Sequence, residues 1–159
     1  MVGRVSALVV GSLVAASAAG AAPADIADAA MRGDHAAIRA AVAKKANVNV
    51  PQVDGTTALH WAVERDDMEM VDLLIRGGAR ITARTREGVT PLQLAATNGS
   101  AAMIDRLLKA GAQVNEPLTA VRDTALMMAA RTGTAAAIRV LLEAGADVRK
   151  STSTDSGHE

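Results

Sequence analysis

A block of residues recurs along this chain at a nearly fixed interval. Thr57-Ala58-Leu59-His60-Trp61-Ala62 is followed by apolar Val71, Leu73 and Leu74 and then by Gly78-Ala79. Thr90-Pro91-Leu92-Gln93-Leu94-Ala95-Ala96 leads through Ile104, Leu107 and Leu108 to Gly111-Ala112. Thr124-Ala125-Leu126-Met127-Met128-Ala129-Ala130 leads through Ile138, Leu141 and Leu142 to Gly145-Ala146. Thr57 to Thr90 and Gly78 to Gly111 each span 33 residues, and Thr90 to Thr124 and Gly111 to Gly145 each span 34. A period in this range is the mark of a stacked array, in which each unit buries its apolar face only against its neighbours.

Composition supports stacking over a single core. Half of the 159 residues are apolar, but there is no Phe or Tyr and the one Trp is Trp61. Alanine supplies much of the remainder, and small side chains suit thin layers that approach closely. Lys plus Arg equals Asp plus Glu, so the basic excess of a nucleic-acid binder is missing. Absence of Cys excludes disulfides, thiol catalysis and Cys-ligated zinc.

Each period reads as two helices. Thr57, Thr90 and Thr124 are N-cap residues for the first helix, and Pro91 sits at the first helical position, where a missing N–H costs nothing. Gly33, Gly99 and Gly133 end these helices, because a left-handed residue is cheapest as Gly. Asp66 stands there in the second copy and is expected to cost about 1 kcal/mol relative to Gly. The second helices carry Met70, Val71, Leu74 and Ile75, then Met103, Ile104, Leu107 and Leu108, then Ile138, Leu141 and Leu142, at helical spacing. Gly78, Gly111 and Gly145 stop them. Shifting the second copy back by 33 residues places Ile26 under Leu59, Ala29 under Ala62, Ile38 under Val71 and Val42 under Ile75. Asp25 to Val53 is therefore a degenerate first copy. Its Asp28, Arg32, Asp34 and Arg39 suit a cap that no neighbour covers.

These blocks resemble the ankyrin repeat, whose motif is Thr-Pro-Leu-His-x-Ala-Ala followed by a second helix and Gly-Ala-Asp. The resemblance covers Asp25 to about Val148 and implies an all-α ankyrin-repeat solenoid of about four repeats: the cap at 25–53, then 54–86, 87–122 and 123–148. It also implies hairpin-like loops projecting from the helices. The chain departs from the motif at Ala58 and Ala125 in place of Pro, and at Gln93 and Met127 in place of His. Only His60 keeps the histidine that bridges neighbouring loops in that family, so the buried network is expected to be reduced elsewhere. The loop from Asn115 to Asp123 is one residue longer and has Arg122 where the others have Gly55 and Gly88.

The ends read differently. Arg4 gives a short basic start, Val5 to Val14 is apolar, and Ala19-Gly20-Ala21 fits an A-x-A cleavage site, with alternatives between 18 and 24. Residues 1–21 are expected to be a cleaved signal peptide, the alternative being a retained anchor. Half of the window is Ala, Gly or Ser, which is weak for a spanning helix. The mature chain is then periplasmic or secreted, with no membrane contact after cleavage. From Arg149 to Glu159 the composition turns polar, and residues 149–159 are expected to be a disordered tail.

The sequence offers little for catalysis. The three histidines, His35, His60 and His158, fall in different elements, and neither a triad nor a metal site follows. Glu64, Asp66, Asp67, Glu69 and Asp72 lie on a turn and a helix face, where solvation is the ordinary outcome. No phosphate loop is present, since Gly77-Gly78 closes a helix. Arg76, Arg80, Arg84 and Arg86 crowd one loop, either as a solvated tip or as guanidinium forks for an acidic partner. Trp61 reads as inter-repeat packing or as an anchor for a partner.

The function expected is a non-catalytic protein-binding module, monomeric, with no cofactor, no metal and no nucleic-acid ligand. The family resemblance implies a contact set at loop tips and first-helix ends: Val53, Asp54, Thr56, Glu64, Arg65, Arg86, Glu87, Val89, Thr97, Asn98, Val121, Asp123, Arg131 and Thr132. The alternative is a structural accessory that stabilises an exported enzyme or self-assembles through its end faces, using Ala135, Ala136 and Ala137. An enzyme would instead require a deep pocket holding ionisable groups with shifted pKa values.

Overall fold

The computed structural model describes residues 25–116 and 123–149. The expected signal segment, the tail from 150 onward, Val121 and Arg122 lie outside the described residues. Among the described residues there are eight helices and no strand: α1 (Asp25–Arg32), α2 (His35–Ala43), α3 (Ala58–Glu64), α4 (Met68–Arg76), α5 (Pro91–Asn98), α6 (Ala101–Lys109), α7 (Ala125–Thr132) and α8 (Ala135–Glu143).

Local signals set these boundaries. Thr90 and Thr124 accept from the N–H groups of Gln93 and Met127 at the starts of α5 and α7. Asp34, Asp67 and Ser100 do the same for α2, α4 and α6, accepting from Ala37, Met70 and Met103. Each such cap contributes about 1 kcal/mol by satisfying an orphan helix donor. Between the helices of a pair the chain turns through a left-handed residue, which is Gly in three pairs and Asp66, with φ +52°, in the second. The same conformation falls on Lys45, φ +54°, where the later copies have Gly.

The four pairs stand side by side. The first helices form a row, α1 on α3, α3 on α5 and α5 on α7, while α2 packs on α4 and α6 on α8. The alanines Ala62, Ala95 and Ala129 are fully buried in that row. Larger side chains from the second helices complete each layer: Met70, Val71 and Leu74, then Met103, Ile104 and Leu107, then Leu141. One continuous apolar cluster runs from Ile26 to Ala146 through all four layers. This is the stacked all-α solenoid that the repeat period predicts.

Several expectations change once neighbours are in place. The acidic run on α4 is not simply solvated. Asp67 meets His35 Nε2 at 2.6 Å, Glu69 pairs with Arg39, and Asp72 accepts from Arg106 Nε at 2.6 Å. Each is partly exposed and contributes only about 0–1 kcal/mol, but together they tie α4 to the pairs on either side. Ala137 is buried rather than exposed, because it occupies the core position held by Met70 and Met103 in earlier pairs. Ala135 and Ala136 are exposed as expected.

The two ends of the stack differ. In the first pair Arg32, Asp34 and Arg39 are exposed, Asp34 while capping α2 and Arg39 while paired with Glu69 of the next pair. In the last pair Leu126, Met127 and Ile138 are only half-buried, although their counterparts Leu92, Gln93 and Ile104 are buried. Leu142 is 43% exposed.

The strained turn gives a direct test. Replacing Asp66 by Gly removes a left-handed conformation that costs an L-residue about 1 kcal/mol. Asp66→Gly is expected to raise the urea-unfolding free energy by that amount, and no gain would mean that the turn is unstrained.

Candidate partner-binding cleft

The loops that carry the cleft are built from backbone bonds. In the first, Gln52 N–H donates to Thr56 O at 2.8 Å and Gly55 N–H to Gln52 O at 2.9 Å. In the next, Thr85 N–H donates to Val89 O at 3.1 Å and Gly88 N–H to Thr85 O at 2.9 Å. The two loops are joined directly, Arg86 N–H donating to Asp54 O at 2.8 Å. Gly55 permits this approach. Its φ is +87°, and a Cβ there would stand 2.9 Å from Arg86 N and 3.1 Å from Thr85 Cα.

Side chains on the first helices hold the loops forward. His60 lies 1% exposed on α3. Its Nδ1 accepts from Thr57 N–H at 3.2 Å, and its Nε2 lies 3.1 Å from Val89 O. An acceptor at Nδ1 and a carbonyl at Nε2 require the neutral tautomer with the proton on Nε2. Burial lowers the pKa of this imidazole, outweighing the opposing effect of the Val89 carbonyl.

Gln93 does the same work one repeat later. Its Oε1 accepts from Thr90 N–H at 2.8 Å and its Nε2 donates to Asp123 O at 3.2 Å. The expectation that the network would weaken wherever His is replaced therefore fails at Gln93. A carboxamide has one donor and one acceptor end, as a neutral imidazole does. Met127 has neither.

Between the two loops and helices α3 and α5 lies an open cleft of about 420 Å³. His60, Trp61 and Glu64 reach it from α3 and Leu94 from α5, with Asp54 and Thr56 from one loop and Thr85, Arg86, Glu87 and Val89 from the other. Trp61 is half-buried against the core and its Nε1 donates to Gln52 Oε1 at 2.8 Å. Gln52 in turn donates to the Asp28 carboxylate of α1. The indole thus both packs between repeats and presents a fixed face to the cleft. Asp54 accepts from Thr56 N–H at 2.9 Å, and that bond, with a smaller contribution from Arg86, lowers its pKa.

Of the expected contact residues, Asp54, Thr56, Glu64, Arg86, Glu87 and Val89 meet at this cleft. Val53, 85% exposed, stands in an adjoining shallow recess with Pro51, Asp54 and Arg86. Arg65 and Asn98 are exposed, but their side chains reach back to the preceding pair, at Met31 O (3.3 Å) and Val63 O (3.0 Å). Thr97, Arg131 and Thr132 are exposed at the ends of α5 and α7. Asp123 is the exception: it is 1% exposed, with one carboxylate oxygen on Arg131 at 2.6 Å, and it cannot meet a partner. Val121 lies outside the described residues.

The four arginines do not make one tip. Arg76 Nε donates to Asp72 O at 3.1 Å, Arg84 pairs with Glu116, and Arg80 and Arg84 line a separate recess with Asn49. Only Arg86 faces the Trp61 cleft.

Sequence reasoning passed over Thr85 and Leu94 as lining residues, although Leu94 is the periodic counterpart of Trp61. It also passed over two asparagines. Asn49 donates to Gly78 O and accepts from Arg80 N–H, and Asn115 bonds Gly145 O and Asp147 N–H in the same way. The shared pattern Ala46-Asn47-Val48-Asn49 and Ala112-Gln113-Val114-Asn115, with Asn three residues after Ala, was the available signal.

Among the described residues no group of His, Asp and Glu could hold a metal ion, and no helix is long and apolar enough to cross a membrane. Comparison with protein families finds that a model described as ankyrin repeats (3 copies) matches residues 26–117 and 77–152. No curated protein matches the chain.

The His60 bridge predicts a pH dependence. The folded imidazole has a lowered pKa, while the unfolded one returns to about 6.5. Between those values the unfolded chain binds more protons, so stability is full above about 6.5 and falls as the solution is acidified. His60→Gln, copying Gln93, is expected to stay within about 1 kcal/mol of the parent at neutral pH and to lose part of that acid dependence. Urea midpoints measured across the range check this; an unchanged slope would refute it.

Proposed function

The chain belongs to the ankyrin-repeat family, and on that premise we propose that it is an exported, monomeric protein-binding module whose contact surface centres on the Trp61 cleft. Ankyrin repeats generally mediate protein–protein interaction, and the family is typically non-enzymatic. The observation that carries the placement is the convergence of six expected contact residues, five from the loops and Glu64 from the end of α3, on one cleft beside the only Trp of the chain. Rigidly held aromatic and Arg side chains are the residues that dominate binding energy at such surfaces, and the backbone link between the two loops means that little ordering remains to be done on binding.

Export rests on residues 1–24, which combine Arg4, an apolar stretch and small residues before Asp25. A second reading is favoured by the last pair, where Leu126, Met127, Ile138 and Leu142 remain partly open at the end of the stack. A second copy joined end to end would cover them, making the protein a self-assembling accessory.

Three measurements decide among these readings. Affinity capture from an exported fraction is expected to recover a partner with the parent and with Lys109→Ala on the outer helix face. Recovery should fall at least about tenfold with Trp61→Ala and Arg86→Glu, a typical hot-spot loss; equal recovery from all four would defeat the cleft. N-terminal sequencing should find the mature chain starting between 19 and 25, and an intact Met1 would defeat export. Solution mass should stay that of one chain at all concentrations, whereas a concentration-dependent dimer abolished by Leu142→Glu would favour the accessory.

A further inference from the structure

The Trp61 cleft combines apolar walls with an excess of negative charge. Its lining carries three carboxylates, Asp54, Glu64 and Glu87, against one guanidinium, Arg86. His60 adds no charge, since both ring nitrogens are committed in the neutral form. Arg86 already lies beside Asp54 and helps to lower its pKa. The Glu64 and Glu87 carboxylates make no hydrogen bond or ion pair with any other described residue.

We propose that this cleft takes an arginine side chain from an exposed segment of the partner protein, stacked on Trp61 and paired with Glu64 and Glu87. The inference rests on the protein-binding reading above and names the chemistry of the residue bound.

Each part of the site matches one part of that side chain. An indole is the best aromatic surface for a cation, and a planar guanidinium both stacks on it and forks toward carboxylates. The aliphatic stem of arginine covers the apolar surface of Leu94 and Val89. The indole is already fixed by Gln52, and the loop carrying Glu87 is fixed by His60 and by the Arg86–Asp54 backbone bond. An acidic partner, which the crowding of arginines in the sequence suggested, would face three carboxylates here. A purely aliphatic side chain would use the walls and leave the charge unmet.

The sole indole of the chain, with no Tyr present, makes the test direct. Blocked peptides of sequence Gly-Gly-Xaa-Gly-Gly, with arginine, norleucine or glutamate at the centre, are titrated into the full chain while Trp61 emission is followed. The arginine peptide is expected to give a saturable change, with affinity at least about fivefold above that of norleucine and weakened by salt. Glutamate is expected to give none. The double change Glu64→Gln and Glu87→Gln, at exposed positions that leave the fold intact, should bring arginine down to the norleucine level without affecting norleucine. Norleucine binding as tightly as arginine, unchanged arginine binding by the double variant, or no saturable response to arginine would each overturn the proposal. Partner capture lost with Trp61→Ala would leave the protein-binding reading standing in any of those cases, so the two fail separately.

Discussion

A buried side chain near the start of a first helix reaches forward to a carbonyl of the next loop, and the stack is organised by that bond. His60 makes it to Val89 and Gln93 makes it to Asp123. Loops of this kind have no sheet to absorb their backbone groups, and a buried group left unpaired costs about 1–3 kcal/mol. One end of the imidazole or carboxamide satisfies the helix cap while the other satisfies the loop. The same atoms therefore fix the helix start and the distance to the next repeat. Where Met127 stands, the side chain offers neither the donor nor the acceptor that such a bond needs.

Around that bond the layers are thin, and thinness has consequences. Ala62, Ala95 and Ala129 let successive first helices approach closely, and the bulk of each layer comes from Met, Ile, Val and Leu on the second helices. No layer buries these groups alone, so stability is shared between neighbours. The cluster accordingly runs unbroken from Ile26 to Ala146. It tapers at the far end, where Leu142 is open and Ile138 is half-covered. On the outer helices, Arg39 with Glu69 and Arg106 with Asp72 add little energy but join α2 to α4 and α4 to α6.

The cleft is a product of this regularity and of one break in it. Trp61 occupies the periodic place of Leu94 and Met128, and its extra reach brings an indole to the edge of the loops. Gly55 lets the first loop touch the backbone of the second. Asp54 and Arg86 are thereby set side by side, while Arg84 is drawn off to Glu116. Closely spaced arginines in the chain end on different surfaces, which is why the charge of the cleft runs opposite to that of the segment.

By itself the sequence determined the repeat, the helix pairs, the caps at Thr90 and Thr124 and the left-handed turns between paired helices. These follow from short-range rules: a period, an N-cap Thr, a Pro at the first helical position, a residue able to turn left-handed. Tertiary structure alone decided which polar side chains were spent within the stack and which remained for a partner. Asp123 disappeared under Arg131, Ala137 took a core place, and Asn49 and Asn115 became bridges between repeats. Gln93 proved equivalent to His60, which a motif letter conceals and donor–acceptor geometry reveals. The physical reason is that a side chain's exposure depends on the unit a full repeat away, and that distance is closed only when the layers meet.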